Sequence, residues 1–201
     1  MIPEFCQYCG TVLSIRHDCQ DIIKKQLENI SPAERFTYGG LGWTVLKHDA
    51  EGGTLAITTK IVGERAFGGD CNNWIESSLR AHLNDCIGVD GFLGKLLTNG
   101  ASLGSFLGIV SDLTADNGET DYGTASDLIA LLTCNLFRKF RLIIPPADNW
   151  YWTLTPIGYA ANSSEVRVVI KRGVLGEAYI RSDFVGVRPL CRLKSEIFVS
   201  V

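Results

Sequence analysis

The sequence lacks the features of several common protein classes. Its apolar runs all fall short of the roughly 20 residues that span a bilayer, so we expect no membrane insertion. The first residues show no basic stretch followed by an apolar core, which predicts that no secretory signal is present. The chain holds 19 Lys and Arg against 22 Asp and Glu, a net charge of −3. Without a cationic surplus to neutralise phosphates, we expect no general nucleic-acid binding.

Signatures of common catalytic and nucleotide sites are also missing. The three histidines, His17, His48 and His82, are scattered and form no legible Ser-His-Asp arrangement. Gly94-Lys95 lacks the preceding glycine and the following hydroxyl residue of a phosphate-binding loop. Gly40-Leu41-Gly42 lacks the third glycine of a dinucleotide-binding loop. The sequence therefore favours a protein that is not an enzyme.

What is present fits one ordinary globular domain with an appendage. The chain has 201 residues, of which 46% are hydrophobic and 20% are charged. The first residues differ from the rest in their density of cysteine. We therefore divide the chain into an N-terminal arm, residues 1–30, and a domain, residues 31–201.

The arm contains a candidate zinc site. Cys6 and Cys9 form a CxxC pair followed by Gly10, which is half of a tetrahedral zinc site. His17 and Cys19 complete four soft ligands at irregular spacing, so Zn is the cofactor that we consider. The second half of the site could also come from another chain, which would make the protein an oligomer. The alternative is a metal-free arm with incidental cysteines.

Four more cysteines, Cys71, Cys86, Cys134 and Cys191, make the total seven. They are scattered through the domain, and we interpret them as buried free thiols in a reducing compartment.

Local patterns predict elements in the first half of the domain and before it. The apolar spacing over Asp21 to Ile30 predicts a short helix. Leu41 to Lys47 and Thr54 to Val62 predict a hairpin, because β-branched and aromatic residues flank a turn-forming segment. Asn73 predicts a helix N-cap, with Ile75, Leu79, Leu83 and Cys86 as the buried stripe.

In the second half of the domain, the sequence indicates an acidic segment followed by strands. Asp112 to Asp127 carries five acidic residues and no basic one, which predicts a solvated loop. A short buried strand at Leu128 to Leu132 and a helix capped by Thr133 follow. Strands are predicted from Trp150, over Val166 to Lys171 and over Phe184 to Leu193. The stretch from Arg141 to Val201 has a net charge of +3.

The order of these motifs resembles a known family. Trp43-Thr44-Val45-Leu46 is followed by Ser77-Ser78-Leu79-Arg80-Ala81-His82-Leu83-Asn84, then by Trp150-Tyr151-Trp152-Thr153-Leu154-Thr155-Pro156 and Gly186-Val187-Arg188-Pro189. This resembles a domain of unknown function common in Firmicutes and their phages, over residues 36 to 195. The family is similar to the C-type-lectin-like fold, in the branch that includes formylglycine-generating enzymes.

The resemblance implies an α+β, C-type-lectin-like domain with short antiparallel strands, two to three helices and long loops. In such a fold Arg188 would make buried hydrogen bonds. The implied function is a non-catalytic binding module, cytoplasmic or virion-associated, that displays its C-terminal loops to a saccharide or protein. Aromatic, amide, hydroxyl and charged side chains of these loops have the chemistry of a recognition surface. The candidate ligand-binding residues are Tyr151, Tyr159, Asn162, Ser163, Ser164, Arg172, Tyr179, Arg181 and Asp183.

Two alternatives remain at this point. One is a structural or assembly protein of a phage particle. The other is an enzyme similar to formylglycine-generating enzymes, which would need a reactive cysteine pair. In the C-terminal half only Cys134 and Cys191 are available for that role.

Overall fold

A computed structural model describes residues 23–88, 90–159 and 163–201. Over these residues the fold is α+β and mostly strand, as expected. The α-helices are α1 (Ser78–Asn84), α2 (Phe92–Thr98) and α3 (Cys134–Phe140). The strands are β1 (Lys24–Gln26), β2 (Arg35–Tyr38), β3 (Leu41–His48), β4 (Gly53–Thr58), β5 (Gly63–Glu64), β6 (Phe106–Leu107), β7 (Ile109–Asp112), β8 (Thr124–Asp127), β9 (Ile129–Ala130), β10 (Tyr151–Pro156), β11 (Glu165–Ile170), β12 (Val174–Tyr179), β13 (Gly186–Val187), β14 (Leu190–Lys194) and β15 (Phe198–Ser200). No helix among the described residues is long and apolar enough to cross a membrane.

The larger sheet has the order β1-β15-β2-β3-β4-β14-β6, and β9 also pairs with β14. The predicted hairpin is confirmed as β3 and β4. All six residues of β4 are buried, because β3 and β14 flank it on both sides. The turn between β2 and β3 is Gly39-Gly40, and both residues have positive φ, 58° and 74°. A two-residue hairpin turn of this kind favours glycine at both positions.

The predicted helix over Asp21 to Ile30 is wrong in its described part. Lys24 to Gln26 pair antiparallel with β15, and a short 3-10 turn, Leu27–Asn29, follows. Leu27 and Ile30 are buried in the core. The backbone of this segment pairs with the edge of a sheet, a partner that helical periodicity cannot register. Residues 23–30 therefore pack against the domain formed by residues 31–201.

The smaller sheet has the order β12-β11-β10-β13-β5. The sequence patterns do not predict β12, which pairs with β11 along its full length from Ile170↔Val174 to Glu165↔Tyr179. The predicted continuous strand Phe184 to Leu193 is wrong, because it divides at Arg188-Pro189. Its first part, β13, joins the smaller sheet, whereas β14 joins the larger one. Proline lacks the N–H that a continuous ladder would need.

The helices keep their predicted caps, with one change. Asn73 accepts a bond from the Ile75 N–H but caps a 3-10 turn, Trp74–Glu76, and Ser77 caps α1. Leu79 and Leu83 are buried as expected, whereas Ile75 and Cys86 are exposed, because they lie outside α1. Helix α3 is confirmed, with Thr133 Oγ1 accepting from Leu136 N at 3.1 Å.

The predicted solvated loop is confirmed for the middle of the acidic segment, where Asp116, Glu119 and Asp121 lie in an exposed connection, whereas Asp112 and Asp127 at its ends belong to paired strands. Strands β7 and β8 pair from Ile109↔Asp127 to Asp112↔Thr124. Asp127 is buried, where it accepts bonds from Trp74 Nε1 at 2.8 Å and Arg80 Nε at 2.7 Å. Asp116 pairs with Arg167 at 2.7 Å. Cations from other parts of the chain therefore compensate part of this negative charge.

Aromatic side chains occupy the centre of the core. The Phe67 ring lies 5.7 Å from the Trp74 ring and 5.6 Å from the Trp152 ring, between centroids. All three residues are at most 1% exposed. Trp152 donates its indole N–H to Arg65 O at 2.8 Å, which satisfies its polar atom inside the core.

Candidate functional site

Five of the candidate binding residues lie together at one end of the β11–β12 hairpin. Cross-strand pairing places Tyr179 opposite Glu165, and Ile180 N donates to Ser164 O at 2.9 Å. Ser182 N donates to Tyr179 O at 2.9 Å, which folds the following segment back as a turn. We name this region the loop surface, and its residues are Ser163, Ser164, Tyr179, Arg181 and Asp183. Asn162 lies outside the described residues.

The loop surface exposes an aromatic ring and charged groups. Tyr179 is 64% exposed, although its strand is paired, because β12 is the edge of the smaller sheet. Arg181 lies 3.6 Å from Asp70, and both side chains are solvated, so this ion pair contributes little to stability. The surface can therefore present apolar area and hydrogen-bonding groups without disturbing the core.

Two neighbours of this surface, Asp70 and Phe184, are not among the candidates that the sequence predicts. Asp70 belongs to a loop that approaches it, since Gly68 N donates to Ile180 O at 3.0 Å. Phe184 is 53% exposed and packs edge-on against Trp150, with ring centroids 6.4 Å apart. Phe184 lies one residue after the candidate Asp183 in the chain, at a position where the sequence predicts a strand.

The remaining candidates lie elsewhere. Arg172 is in the turn at the opposite end of β12, roughly 20 Å from Tyr179 at the rise of an extended strand. Tyr151 is buried, and its ring lies 5.2 Å from the guanidinium carbon of Arg188. Tyr159 is buried too, and its hydroxyl donates to Glu119 O at 2.8 Å. Neither tyrosine presents its ring to solvent, so we do not include them in the loop surface.

The cysteines differ in their surroundings. Burial raises the pKa of the Cys134 thiol, and it raises that of Cys191 well above the ordinary value. A thiolate is the reactive form of cysteine, so neither residue has the environment of an activated nucleophile. Cys71 is half-buried and Cys86 exposed, so our prediction that they are buried is wrong. Both lie in or beside irregular segments rather than on an inward helix face.

The candidate zinc ligands Cys6, Cys9, His17 and Cys19 all lie outside the described residues, so the zinc site stays a prediction. Over the described ranges, no group of three or more His, Cys, Asp or Glu side chains could hold a metal ion.

The chain also has a cleft made of two adjoining cavities, of about 670 and 330 Å³. Gly40, Leu41 and Val62 border both cavities, so the β2–β3 turn forms the ridge between them. A Cβ at Gly39 would lie 3.0 Å from Leu96 Cδ2, and one at Gly40 would lie 3.2 Å from Asn99 Cβ. The two glycines therefore let this turn approach α2 closely.

Basic side chains line the second cavity. Arg65, His82 and Lys95 line it, and Leu83, Phe92 and Leu96 form its apolar floor. The pKa of His82 is lowered, first by burial and then by repulsion from Arg65 and Lys95. His82, which the sequence predicts to be a surface or core residue, is half-buried. The three residues come from three different segments, and no local motif links them.

No protein-family model, curated protein or solved structure matches this chain. The resemblance to the domain of unknown function therefore stays a hypothesis.

Proposed function

We propose that this chain is a non-catalytic recognition module that presents the loop surface to a protein partner. The observation that carries the proposal is the exposure of Tyr179 and Phe184 beside Arg181 and Asp183, on one short segment. Tyrosine, phenylalanine and arginine are the residue types enriched in protein interfaces. A tyrosine supplies a large, rigid contact area and loses little side-chain entropy when it binds.

The scaffold beneath the loop surface supports this role. The segment around Tyr179 is held by the β11–β12 ladder and by main-chain bonds from Ser182 and Gly68. Phe184 rests on Trp150, so its ring is already oriented before a partner arrives. A preorganised surface lowers the entropic cost of binding. Loops that are positioned by a rigid sheet are a frequent location for binding residues.

We also propose that the fold is C-type-lectin-like. What supports it is the α+β architecture, with short antiparallel strands, three described α-helices and long connections. We also propose that Arg188 acts in it structurally, as the resemblance implies. This residue is 1% exposed, and its guanidinium donates to the main-chain oxygens of Thr58, Thr59 and Pro145.

A saccharide is the second candidate ligand. The exposed Tyr179 ring offers a flat apolar face, and the hydroxyls of Ser163 and Ser164 lie at the same end of the hairpin. These groups could stack on a sugar ring and bond to its hydroxyls. The charged pair Arg181–Asp70 and the second aromatic ring, Phe184, favour a protein partner over a sugar.

The test replaces three exposed aromatic residues, Tyr179, Phe184 and Phe198, one at a time by a photo-crosslinking amino acid. Substitution at Tyr179 or Phe184 is expected to give a discrete crosslinked protein from cells of the source organism. The same substitution at Phe198, which is 62% exposed on β15 in the other sheet, serves as the matched control. The captured protein is then purified, and its affinity for the original chain is measured.

We expect Tyr179→Ala and Arg181→Ala each to weaken that affinity about tenfold, with the melting temperature unchanged. Equal crosslinking from Phe198, or full affinity in both alanine variants, would contradict the proposal. A glycan array on which binding depends on Tyr179, without any protein capture, would select the saccharide instead.

A further inference from the structure

The cationic part of the cleft is separate from the loop surface and has no role in the proposed function. Arg65 and Lys95 are exposed, and neither forms an ion pair with a described carboxylate. By contrast, Arg80, Arg167 and Arg192 all pair with aspartates of the chain. Unpaired cations around a concavity leave a local positive potential, which attracts anions.

The first cavity adds to the positive charge of the cleft. Arg35 and Lys60 line it, again with no ion pair to a described residue. Glu64 is the acidic residue that lines the cleft, and its carboxylate accepts a bond from Asn149 at 2.8 Å. The cleft therefore carries a surplus of cations, although the whole chain has a net charge of −3.

Apolar surface accompanies the charge in both cavities. Leu83, Phe92 and Leu96 floor the second cavity, while Phe36, Ile61 and Val62 line the first. Concave sites with mostly apolar walls and a few polar groups are typical of small-molecule binding. The combination suits a ligand with one anionic group and one apolar body.

We propose that this cleft binds a small organic anion, with its anionic group between Arg65, His82 and Lys95 and its apolar part along Leu41 toward the first cavity. The guanidinium of Arg65 can form paired hydrogen bonds to a phosphate or carboxylate, and Lys95 contributes a point charge. The His82 ring forms no hydrogen bond with another described residue, so both its nitrogens are available to a ligand.

Binding in this position couples to the protonation of His82. Arg65 and Lys95 disfavour its charged form, whereas Asp85 and Asp90 favour it, and Glu64 lines the same cavity. The Asp85 carboxylate is already bonded to the N–H groups of Ile87 and Gly88. An anion held between Arg65, Lys95 and His82 favours the imidazolium form of His82, so the pKa of His82 rises when the ligand binds. Affinity for the anion therefore increases as the pH falls toward the pKa of His82 in the free protein.

The first experiment measures binding of phenyl phosphate and inorganic phosphate by calorimetry on the full chain. We expect phenyl phosphate to bind more tightly, because inorganic phosphate leaves the apolar part of the cleft empty. Arg65→Met and Lys95→Met are each expected to weaken phenyl phosphate about tenfold or more. Lys139→Met, on the exposed side of α3, is the matched control and should bind like the original protein.

The second experiment follows the imidazole signals by NMR with benzenesulfonate, whose charge stays constant over the titration. The chain has three histidines, and His82→Gln identifies the signal of interest. We expect benzenesulfonate to raise the pKa of His82, whose ring lines the second cavity, whereas His48 lines neither cavity.

Three results would overturn the inference. The first is no heat with phenyl phosphate and no rise in the pKa of His82 with benzenesulfonate, both at millimolar concentration. The second is unchanged affinity in both Arg65→Met and Lys95→Met, which would locate the anion elsewhere on the chain. The third is equal affinity for phenyl phosphate and inorganic phosphate, which would remove the role of the apolar cavity. None of these results bears on the loop surface, because Tyr179 and Arg181 do not line the cleft.

Discussion

Replacing Arg188 by methionine tests how the two sheets are held together. Its guanidinium donates to Thr58 O at 3.0 Å, Thr59 O at 3.0 Å and Pro145 O at 2.7 Å. Thr58 ends β4 in the larger sheet, while Arg188 lies between β13 of the smaller sheet and β14 of the larger one. The Arg188 side chain therefore connects the junction of β13 and β14, where the chain passes from the smaller to the larger sheet, to the end of β4 and to the segment at Pro145.

The size of the effect follows from these three bonds. Hydrogen bonds to a charged donor are worth roughly 1.5–3 kcal/mol each, which gives a gross loss of about 5–9 kcal/mol. Methionine recovers part of this, because burying a guanidinium costs several kcal/mol that the variant no longer incurs. We therefore expect Arg188→Met to lower the free energy of unfolding by about 3 kcal/mol. For a chain of this length, the melting temperature should fall by roughly 6–12 °C.

The assay is urea unfolding followed by tryptophan fluorescence, since Trp43, Trp74 and Trp152 are buried. Arg188→Lys should lie between the two proteins, because an ammonium cannot present a planar fork to three carbonyls. Arg172→Met, in the exposed turn before β12, is the control and should change stability by less than about 0.5 kcal/mol. A loss below about 1 kcal/mol in Arg188→Met would refute the reasoning, since it would show that the carbonyls find other partners.

Two further predictions concern acid stability and thiol reactivity. Arg192 lies 2.8 Å from Asp49 and holds the pKa of that carboxyl far below its ordinary range. The ion pair therefore stabilises the fold above about pH 4, and this stabilisation is lost as the pH falls further. Asp49→Asn should cost about 1 kcal/mol near neutral pH and progressively less in acid, as measured by urea titrations at a series of pH values; a cost that is the same at every pH would contradict the role of this ion pair. Iodoacetamide should alkylate exposed Cys86 in the native protein but spare Cys134 and Cys191 until unfolding, as read by peptide mass spectrometry; equal labelling rates would contradict the assigned burial.

Elements with a complete local signal were predictable from the sequence. The β3–β4 hairpin needed only β-branched residues on both sides of a turn segment, and α3 needed only Thr133 before an amphipathic run. The cluster of Ser163, Ser164, Tyr179 and Arg181 was also foreseeable as a set of exposed polar and aromatic residues. Its members share one surface only because β11 pairs with β12, a strand that we did not predict.

By itself, the sequence determined the β3–β4 hairpin and the helix caps, since these depend on neighbours within a few residues, whereas the α+β class was expected from the family resemblance. The tertiary structure decided the rest. Lys24 to Gln26 became strand because β15, about 174 positions later, offered an unpaired edge. Asp127 became a buried anion because Trp74 and Arg80, 53 and 47 residues away, supply its hydrogen bonds. The cleft likewise unites Arg65, His82 and Lys95 from three segments. Sheet pairing and charge compensation act across space, and the spacing of residues along a chain carries no record of them.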